Sequence, residues 1–549
     1  MKVNSCSDLR NKVAELIIIR ASSYGLDSLR KYPQWELPNK DLKRLLEQGV
    51  GGVILYGGSI QDVKTRSKQL QTWSNKTILL CADVEEGVGQ RFDGGTWFVP
   101  PMALGLIYEK DPEQAIVLAE EYGRSLGEQA RLSGINWVLA PVCDINTNPK
   151  NPVINMRAWG ENPDSVSNLV CAFNKGLISQ GVLSCAKHFP GHGDTGIDSH
   201  LSLPILEHDL LRLEEKELVP FKALIQENVN SIMTAHILLK KIDPDLPATL
   251  SSEVIYKLLR QKMKYKGLIV TDALVMQAIS TRYSVGEASV MAIEAGVDLI
   301  MMPENADEAI NAILNALING RITMDRLQNS LDRREKELSK LNRFKSNKVT
   351  DSVDLNSLEA EHTKALSKRL INLSIKTNNV YLKNDFKGGI NLIKVDKLIS
   401  NRFLNDFSPA LNIPERFGFR NIVTHSLGFP IFKNNKKDPL NLDIFGEKKF
   451  ILQLFIRGNP FIGEIDSPDL WISIVKQLQR NQCLLALFVY GSIYSWKNII
   501  DVLEPSIPAF YSPGQMPLAQ KDALERLFTF KHLETENKYI SKSKNEFTN

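Results

Sequence analysis

Short apolar runs recur between residues 16 and 302, and each is followed by a segment whose apolar residues lie three or four positions apart. A short buried run followed by helical periodicity predicts a β-strand followed by an α-helix. The eight runs are Leu16–Ala21, Gly52–Tyr56, Ile78–Val84, Trp137–Val142, Val182–His188, Ser231–His236, Leu268–Leu274 and Val297–Met302. Eight such units in roughly 300 residues match the number and size of a (β/α)8 TIM-type barrel.

The helical segments between these runs are also readable, for example at Pro112–Leu132, Leu210–Glu227 and Ser284–Ala295. A doubly wound open sheet is the alternative α/β fold. Such a sheet rarely holds so many parallel strands, and no GxGxxG segment follows the first run. The pattern therefore favours the barrel.

The pattern lapses into polar and charged sequence near residues 338–365. This predicts a linker, with a linking helix and a connector, between a barrel at residues 1–340 and a second domain. We place the linker at residues 341–370, the second domain at 371–535 and a disordered tail at 536–549.

Apolar runs and helical segments alternate again beyond the linker, which predicts a smaller α/β domain. The runs are Ile390–Val395, Phe450–Phe455 and Leu484–Tyr490, and the helical segments are Pro468–Gln479 and Pro517–Leu527.

The composition is that of an ordinary globular protein: 549 residues, 43% of them hydrophobic and 24% charged. No apolar run approaches the roughly 18 residues that a membrane-spanning helix requires, so no membrane association is expected. The 67 Lys and Arg residues barely outnumber the 63 Asp and Glu residues. This small excess of positive charge does not favour nucleic acid as the main partner.

Six cysteines are scattered along the chain without the close pairs that zinc sites and redox motifs need. They are Cys6, Cys81, Cys143, Cys171, Cys185 and Cys483, and we interpret them as reduced thiols. Near the N-terminus, Asp8, Arg10, Lys12 and Glu15 interrupt the apolar stretch that a signal peptide would need. These features predict a cytoplasmic protein.

Polar residues follow several of the predicted strands, where the active site of a barrel forms. They are Asp83, Glu85 and Glu86 after the third run, Pro141–Asp144 in the fourth, Lys187 and His188 in the fifth, His236 in the sixth and Asp272 in the seventh. Any one of them could simply mark the change from strand to loop. Five such strand ends at one rim indicate a site.

The segment KHFPGHGDTGIDSHLSLP, from Lys187 to Pro204, combines flexible glycines with titratable side chains. The glycines are Gly191, Gly193 and Gly196, and the titratable residues include His192, Asp194, Asp198 and His200. A carboxylate two positions from an imidazole can orient it and stabilise its protonated form, so Asp198 and His200 are a candidate acid/base pair. The alternative is that Asp198 caps a turn and His200 packs beneath it.

The segment Gly267–Ile279 is a second candidate for chemistry. An apolar strand ending in Asp272 delivers one carboxylate to the barrel mouth, which suits a nucleophile. The alternative is that Asp272 caps the next helix.

Four residues are of types that zinc hydrolases use: His188, His192, His236 and Asp272. Histidines that share a metal usually come from an HxH strand or a helical HxxxH, and Pro190 with Gly191 prevents the helical geometry here. We therefore expect no metal and no other cofactor.

KHFPGHGDTGIDSHLSLP closely resembles the signature of bacterial β-N-acetylglucosaminidases of glycoside hydrolase family 3, and VTDALVMQAI resembles the nucleophile segment of that family. The likeness covers residues 10–310. It extends more weakly into LLALFVYGSIYSW and IPAFYSPGQMPLAQKDALERLF, which resemble the family's C-terminal α/β sandwich. The resemblance implies a retaining reaction through a covalent glycosyl-enzyme.

The same resemblance implies roles for individual residues. It makes Asp272 the nucleophile, His200 the acid/base and Asp198 the dyad partner of His200. The sugar-binding positions of the family map onto Asp83, Arg91, Arg157, Lys187 and His188.

The chain departs from the family pattern near Asp83. The family usually reads DxEGGxVxR, but DVEEGVGQRF has Glu86 in place of a glycine and Gly89 in place of the valine. Met156 also precedes Arg157, where an acidic or small residue is commoner. These departures affect the shape of the expected sugar pocket.

The resemblance implies an exo-acting β-N-acetylhexosaminidase that removes terminal N-acetylglucosamine from peptidoglycan-derived fragments. Three alternatives stay open: a β-glucosidase of the same family, a glycoside phosphorylase and a catalytically silent sugar-binding protein. A histidine acid/base leaves the site with less negative charge than a second carboxylate would, which would let phosphate attack in place of water. Intact Asp198, His200 and Asp272 argue against a silent protein.

Overall fold

The computed structural model of the protein describes residues 6–345, 361–378, 388–395, 402–424, 431–457 and 469–528. The chain divides between Leu366 and Ser367 into an N-terminal and a C-terminal compact unit.

The described part of the N-terminal unit contains ten strands. They are β1 Ile17–Ser22, β2 Gly52–Tyr56, β3 Leu79–Ala82, β4 Trp137–Val138, β5 Cys185–Phe189, β6 Ile205–Leu206, β7 Ser231–Thr234, β8 Leu238–Leu239, β9 Leu268–Thr271 and β10 Ile300–Met301. Every one of the eight predicted runs overlaps one of these strands. The strands β6 and β8 form a separate parallel pair that the sequence pattern does not predict.

The eight predicted strands are all parallel and close into a ring. One arc has the order β10-β1-β2-β3-β4, and the other has the order β5-β7-β9. Isolated parallel bridges join the arcs, from Trp137 to Leu183 and from Val142 to Lys187 on one side and from Val270 to Leu299 on the other. The predicted (β/α)8 barrel is therefore confirmed, and the open sheet is excluded.

Thirteen α-helices are described in or at the end of this unit. They are α1 Cys6–Ala14, α2 Asn39–Glu47, α3 Ile60–Trp73, α4 Met102–Tyr108, α5 Pro112–Ser133, α6 Pro163–Ile178, α7 Leu210–Glu215, α8 Val219–Gln226, α9 Gln277–Ser280, α10 Val285–Ala295, α11 Ala306–Ile318, α12 Met324–Lys345 and α13 Glu361–Ser374. A π-helix at Glu253–Lys262 occupies the position between β8 and β9.

The predicted helix at 210–227 is wrong as a single element. The helix α7 ends at Glu215, and α8 begins at Val219 with Pro220 in its first turn. Proline has no backbone N–H to donate to the preceding turn, but it is well accommodated at a helix start. The chain therefore restarts the helix at this proline.

The C-terminal unit is built on one six-stranded sheet. Its strands are β11 Lys376–Thr377, β12 Gly389–Val395, β13 Phe419–Thr424, β14 Phe450–Ile456, β15 Leu484–Gly491 and β16 Ala509–Ser512, in the order β11-β16-β15-β14-β12-β13. Among the described strands of this sheet, β11 pairs antiparallel with its neighbour and the other pairs are parallel. The helices are α14 Pro409–Arg416, α15 Asp469–Arg480, α16 Ile493–Ile500 and α17 Pro517–Phe528. The predicted smaller α/β domain is confirmed.

The core of this unit lies between the central strands and α17. Ile393, Phe455, Phe488 and Phe510 from four strands and Leu524 from α17 belong to one cluster, and each is almost fully buried. Strands buried in this way read as continuous apolar runs, which is why the sequence pattern revealed β12, β14 and β15, although it did not predict the four-residue β16.

The predicted domain boundaries stay predictions. The described ends of the linker predicted at 341–370 belong to α12 and α13, and the tail predicted at 536–549 lies outside the described residues. Within the described ranges, no helix has both the length and the apolarity needed to cross a membrane.

The cysteines whose side chains are described are all free thiols. Cys81, Cys143, Cys185 and Cys483 are buried, and Cys171 is partly buried. Burial raises the pKa of Cys185 to about 12, so this thiol stays protonated and packs as a small apolar group.

Candidate active site

Most of the site residues predicted from the sequence meet at the C-terminal rim of the barrel. Asp83 follows β3, Lys187 and His188 end β5, and Asp272 follows β9 directly. Arg157 comes from a 3-10 helix, Asn155–Arg157, in the segment after β4. The parallel strands of a closed barrel carry all of these ends to one face.

Lys187 is the centre of a buried ion cluster at this rim. Its ammonium lies 2.8 Å from Asp83 Oδ1 and 2.7 Å from Glu85 Oε1, and its side chain is 2% exposed. Burial alone would lower the pKa of Lys187, but the two carboxylates outweigh burial and raise it. Burial would likewise raise the pKa of Asp83, but Lys187 and then Arg91 lower it to about 2. Asp83 and Lys187 are therefore charged at neutral pH.

Glu85 connects Lys187 to Arg157 and so extends the ion cluster. The guanidinium donates through Nε to Glu85 Oε2 and through Nη2 to Glu85 Oε1, both at 2.8 Å. Its third nitrogen donates to the carbonyl of Val153 at 3.0 Å. Burial opposes the ionised form of Glu85, but Arg157 and Lys187 hold its pKa well below the usual range. The guanidinium is thus fixed in one orientation.

His188 is oriented by a second buried carboxylate. Its Nδ1 lies 2.7 Å from Asp144 Oδ2, and its Nε2 lies 3.5 Å from Arg157 Nη2. The backbone N–H of His192 donates to Asp144 Oδ1 at 2.6 Å. Asp144 therefore fixes both the ring of His188 and the start of the segment that follows β5.

Glu85 and Asp144 were not predicted as site residues, although both stand among the polar residues that mark strand ends. Each makes its main contact with a residue far along the chain, Glu85 with Arg157 72 positions away and Asp144 with His188 44 positions away. Their positions at strand ends could have indicated Glu85 and Asp144 as candidates, but such positions do not reveal which distant residues they contact.

Asp83 is also held from its other side. The Tyr56 hydroxyl donates to Asp83 Oδ2 at 2.8 Å, and Arg91 Nε donates to the backbone carbonyl of Asp83 at 3.0 Å. The guanidinium carbon of Arg91 lies 5.5 Å from the centre of the Tyr56 ring. Tyr56 is the last residue of β2 and was not predicted as a site residue.

Asp198 and His200 form a dyad in the segment between β5 and β6. Asp198 Oδ1 lies 2.8 Å from His200 Nδ1 and accepts the backbone N–H of His200 at 2.9 Å. The carbonyl of Asp198 also accepts the N–H groups of Leu201 and Ser202, each at 3.0 Å. Asp198 therefore organises a turn, as the alternative interpretation required, and orients the imidazole as well.

The buried ring of His192 links two hydroxyl side chains of the same segment. Its Nδ1 lies 2.7 Å from Thr195 Oγ1 and its Nε2 lies 2.8 Å from Ser199 Oγ. The ring is 1% exposed, and this burial lowers the pKa of His192 to about 4. A neutral imidazole thus bridges two hydroxyls, one of them immediately between Asp198 and His200.

The segment is also fixed against its surroundings. At Gly193 an added Cβ would lie 1.7 Å from the carbonyl oxygen of Ile145, so the backbone passes too close for any larger residue. On the outer side, Asp194 Oδ2 lies 2.9 Å from His208 Nε2. The glycine that sequence analysis linked to flexibility therefore serves close packing here.

Asp272 stands at the rim as an ionised carboxylate. Burial would raise the pKa of Asp272, but the imidazoles of His188, His236 and His200 outweigh burial and lower it. The backbone N–H of Ala273 donates to Asp272 Oδ1 at 2.7 Å. The helix-capping alternative is wrong, because α9 begins at Gln277 and Met276 is its capping residue.

The departures near Asp83 have a local structural basis. Glu86 is fully buried and accepts the indole N–H of Trp97 at 2.9 Å. A Cβ added at Gly89 would lie 2.3 Å from the carbonyl oxygen of Gly95, so valine would not fit there. The segment after β3 thus packs closely around Glu86 and Gly89.

Within the described ranges, no three His, Cys, Asp or Glu side chains are grouped in a way that could hold a metal ion. His236, one of the four residues considered as ligands, lies 2.8 Å from Thr249 Oγ1 and 3.1 Å from the carbonyl of Ala273.

A closed barrel with charged side chains at its C-terminal rim has the architecture of a barrel enzyme. Residues 8–335 match the "Glycosyl hydrolase family 3 N terminal domain", and residues 382–529 match the "Bacterial Glycosyl hydrolase family 3 C-terminal domain". The chain belongs to glycosyl hydrolase family 3.

The chain is similar to curated hexosaminidases and to a solved glucosaminidase structure. Beta-hexosaminidase A of Pseudoalteromonas piscicida is 32% identical over 336 residues, which are 56% of this chain and 56% of that protein. The beta-hexosaminidase of Neisseria meningitidis serogroup B is 33% identical over 282 residues, 50% of this chain and 78% of that protein. A family 3 beta-N-acetylglucosaminidase structure from a Paenibacillus species is 29% identical with a TM-score of 0.77, covering 94% of this chain and 96% of that one. The chain spans just over half the length of the Pseudoalteromonas relative.

His192 makes stability depend on pH in a predictable direction. Between about pH 6.5 and 4 the unfolded chain binds a proton at this histidine that the native state does not, so stability falls as the pH falls. At pH 5 this histidine should account for about 2 kcal/mol of the loss. His192→Gln should therefore lose less unfolding free energy than the wild type over this range, as measured by chemical denaturation.

The matched control is His362→Gln, because the side chain of His362 is 59% exposed. This variant should follow the wild-type pH curve. Parallel curves for His192→Gln and the wild type would contradict a neutral, buried His192.

Proposed function

We propose that the protein is a retaining, exo-acting β-N-acetylhexosaminidase that hydrolyses terminal β-linked N-acetylglucosamine. The observation that carries this proposal is the fixed cluster of Asp83, Lys187, Glu85 and Arg157 at the same rim as the ionised Asp272. The relatives from Pseudoalteromonas and Neisseria are named beta-hexosaminidases, and the one from Paenibacillus is named a beta-N-acetylglucosaminidase. These names support N-acetylglucosamine as the sugar.

In this proposal Asp272 is the nucleophile. A nucleophilic carboxylate must be ionised, and the neighbouring imidazoles favour that form of Asp272. One of its oxygens attacks C1 of the sugar, and the bond from C1 to the leaving oxygen breaks. The product of this first step is a glycosyl ester on Asp272.

His200 is the proposed acid/base. Asp198 holds Nδ1 of the imidazole, so the proton would be exchanged with substrate at Nε2. In the first step His200 protonates the leaving oxygen, and in the second it takes a proton from the water that attacks C1. Asp198 is a positioning residue that stabilises the protonated imidazole.

The remaining predicted residues would recognise the sugar. The carboxylate of Asp83 can accept hydrogen bonds from hydroxyl groups, while Lys187, Arg157 and His188 can donate to hydroxyl or acetamido oxygens. Arg91 acts at the outer edge, where it holds the backbone of Asp83. Because the charged groups already neutralise one another, they need not reorganise when the substrate enters.

Peptidoglycan-derived fragments in the cytoplasm are the proposed natural substrates. This assignment rests on the family resemblance of the sequence. It stays a prediction, as does the preference for hydrolysis over phosphorolysis.

The proposal is tested by two aryl glycosides that differ only at C2 of the sugar. Removing the acetamido group leaves a buried donor of the pocket without its acceptor, so kcat/KM for the aryl β-glucoside should be roughly ten- to a hundredfold lower than for the aryl N-acetyl-β-glucosaminide. Asp272→Ala should remove activity on both glycosides, which controls for contaminating enzymes. Equal kcat/KM values, or a preference for the glucoside, would contradict the proposed hexosaminidase activity without contradicting the family membership.

The role of His200 predicts a dependence on the leaving group. His200→Ala should slow hydrolysis of N,N′-diacetylchitobiose by roughly a hundredfold or more, because a sugar alkoxide needs protonation to depart. The same variant should slow a 2,4-dinitrophenyl glycoside much less in the glycosylation step, since that phenolate departs without a proton. His362→Ala serves as the control and should change neither rate. Equal losses on both substrates would show that His200 is not the acid.

A further inference from the structure

The segment that follows β1, residues 23–38, exposes its apolar side chains. Leu26, Leu29, Tyr32 and Trp35 are 64%, 51%, 37% and 38% exposed. The carboxylate of Glu36, in contrast, is 1% exposed, while the charged residues Asp27 and Lys31 of the same segment are exposed. Exposed apolar side chains grouped in one segment often mark a binding surface.

Glu36 is the anchor that gives this segment a fixed shape. Its carboxylate accepts the backbone N–H of Tyr32 at 3.1 Å and lies 3.5 Å from Arg20 Nη2. Its backbone carbonyl accepts Arg30 Nη1 at 2.7 Å. The exposed rings are therefore attached to a pre-organised loop.

Arg20 connects these rings to the barrel. Its guanidinium carbon lies 4.1 Å from the centre of the Tyr56 ring, 5.2 Å from that of Tyr32 and 5.4 Å from that of Trp35. The Arg20 side chain is 10% exposed, and its Nε is buried without a hydrogen-bond partner among the described residues. Cation–π contacts hold Tyr32 and Trp35 together around one charge.

The exposed rings of Tyr32 and Trp35, with Arg20 beneath them, are here named the Trp35 platform, and Tyr56 links this platform to the sugar pocket. Tyr56 contacts Arg20 through its ring and Asp83 through its hydroxyl. In the ring of strands, β1 lies between β10 and β2, midway between the strand that precedes Asp272 and the strand that precedes Asp83. The loop after β1 therefore lies beside the mouth of the barrel, between Asp272 and Asp83.

We infer that the Trp35 platform binds the sugar unit next to the one held in the pocket, and this inference rests on the proposed function. One face of a pyranose ring presents mainly C–H groups, which pack well on an aromatic ring. In an exo-acting enzyme this neighbouring unit is the leaving group.

The test compares substrates that do and do not reach the platform. N,N′-diacetylchitobiose has a second sugar, whereas methyl N-acetyl-β-glucosaminide has an aglycone too small to reach Trp35. Trp35→Ala should lower kcat/KM for chitobiose about tenfold, mainly through KM, and leave the methyl glycoside within about twofold. Trp35→Phe keeps a ring and should restore most of the loss.

Tyr256→Ala is the matched control, because Tyr256 is a 51% exposed aromatic residue on the π-helix between β8 and β9. It should change neither substrate. Thermal unfolding of each variant separates a loss of fold from a loss of binding. Equal losses of Trp35→Ala on both substrates, or none on chitobiose, would overturn the inference.

A binding measurement distinguishes this inference from the proposed function. The affinity of the otherwise unmodified Asp272→Asn protein for chitobiose and for cellobiose is measured by calorimetry, with and without Trp35→Ala. If the protein hydrolyses no glucosaminide, the proposed function fails, yet weaker disaccharide binding with Trp35→Ala still supports the platform. Unchanged affinity, or a change in oligomeric state in place of a change in affinity, would contradict a sugar-binding surface.

Discussion

The buried ammonium of Lys187 is the constraint on which the rest of the site depends. A charge that is taken out of water costs several kcal/mol unless it is paired and hydrogen-bonded. Lys187 therefore requires both Asp83 and Glu85, and the second carboxylate requires Arg157 to balance it. The four groups come from β5, the segments after β3 and the 3-10 helix after β4, so they fix these parts of the rim relative to one another. A site of this kind is formed before the substrate arrives.

The proposed catalytic groups stand on two different kinds of support. Asp272 follows a barrel strand directly, and the strand fixes its backbone. His200 belongs to a segment without regular secondary structure, which depends on the neutral ring of His192 and on the contact between Asp198 and the imidazole. Both kinds of support hold their groups in place, as a retaining reaction requires, because the nucleophile attacks one carbon atom and the acid/base serves two successive steps.

The sequence was sufficient for the elements and for the residues with recognisable spacing. Apolar periodicity located all eight barrel strands, because a buried strand needs consecutive apolar residues. It missed the break before Pro220, because the residues on both sides of the break keep a helical pattern. The partners Glu85 and Asp144 were not selected, since their ion pairs join positions distant in the chain. Trp35 could not be selected either, because its importance depends on Arg20 and Tyr56, which only the folded barrel brings beside it.

The most direct test of the account is to trap the glycosyl-enzyme. A fluorinated N-acetylglucosaminyl fluoride that forms the covalent intermediate faster than it is hydrolysed should inactivate the protein and add one sugar mass. Peptide mass spectrometry should then locate that mass on Asp272, with no labelling of the Asp272→Ala protein. Labelling of a different carboxylate would contradict the assignment of the nucleophile, and hydrolysis with inversion at C1 would contradict the retaining reaction.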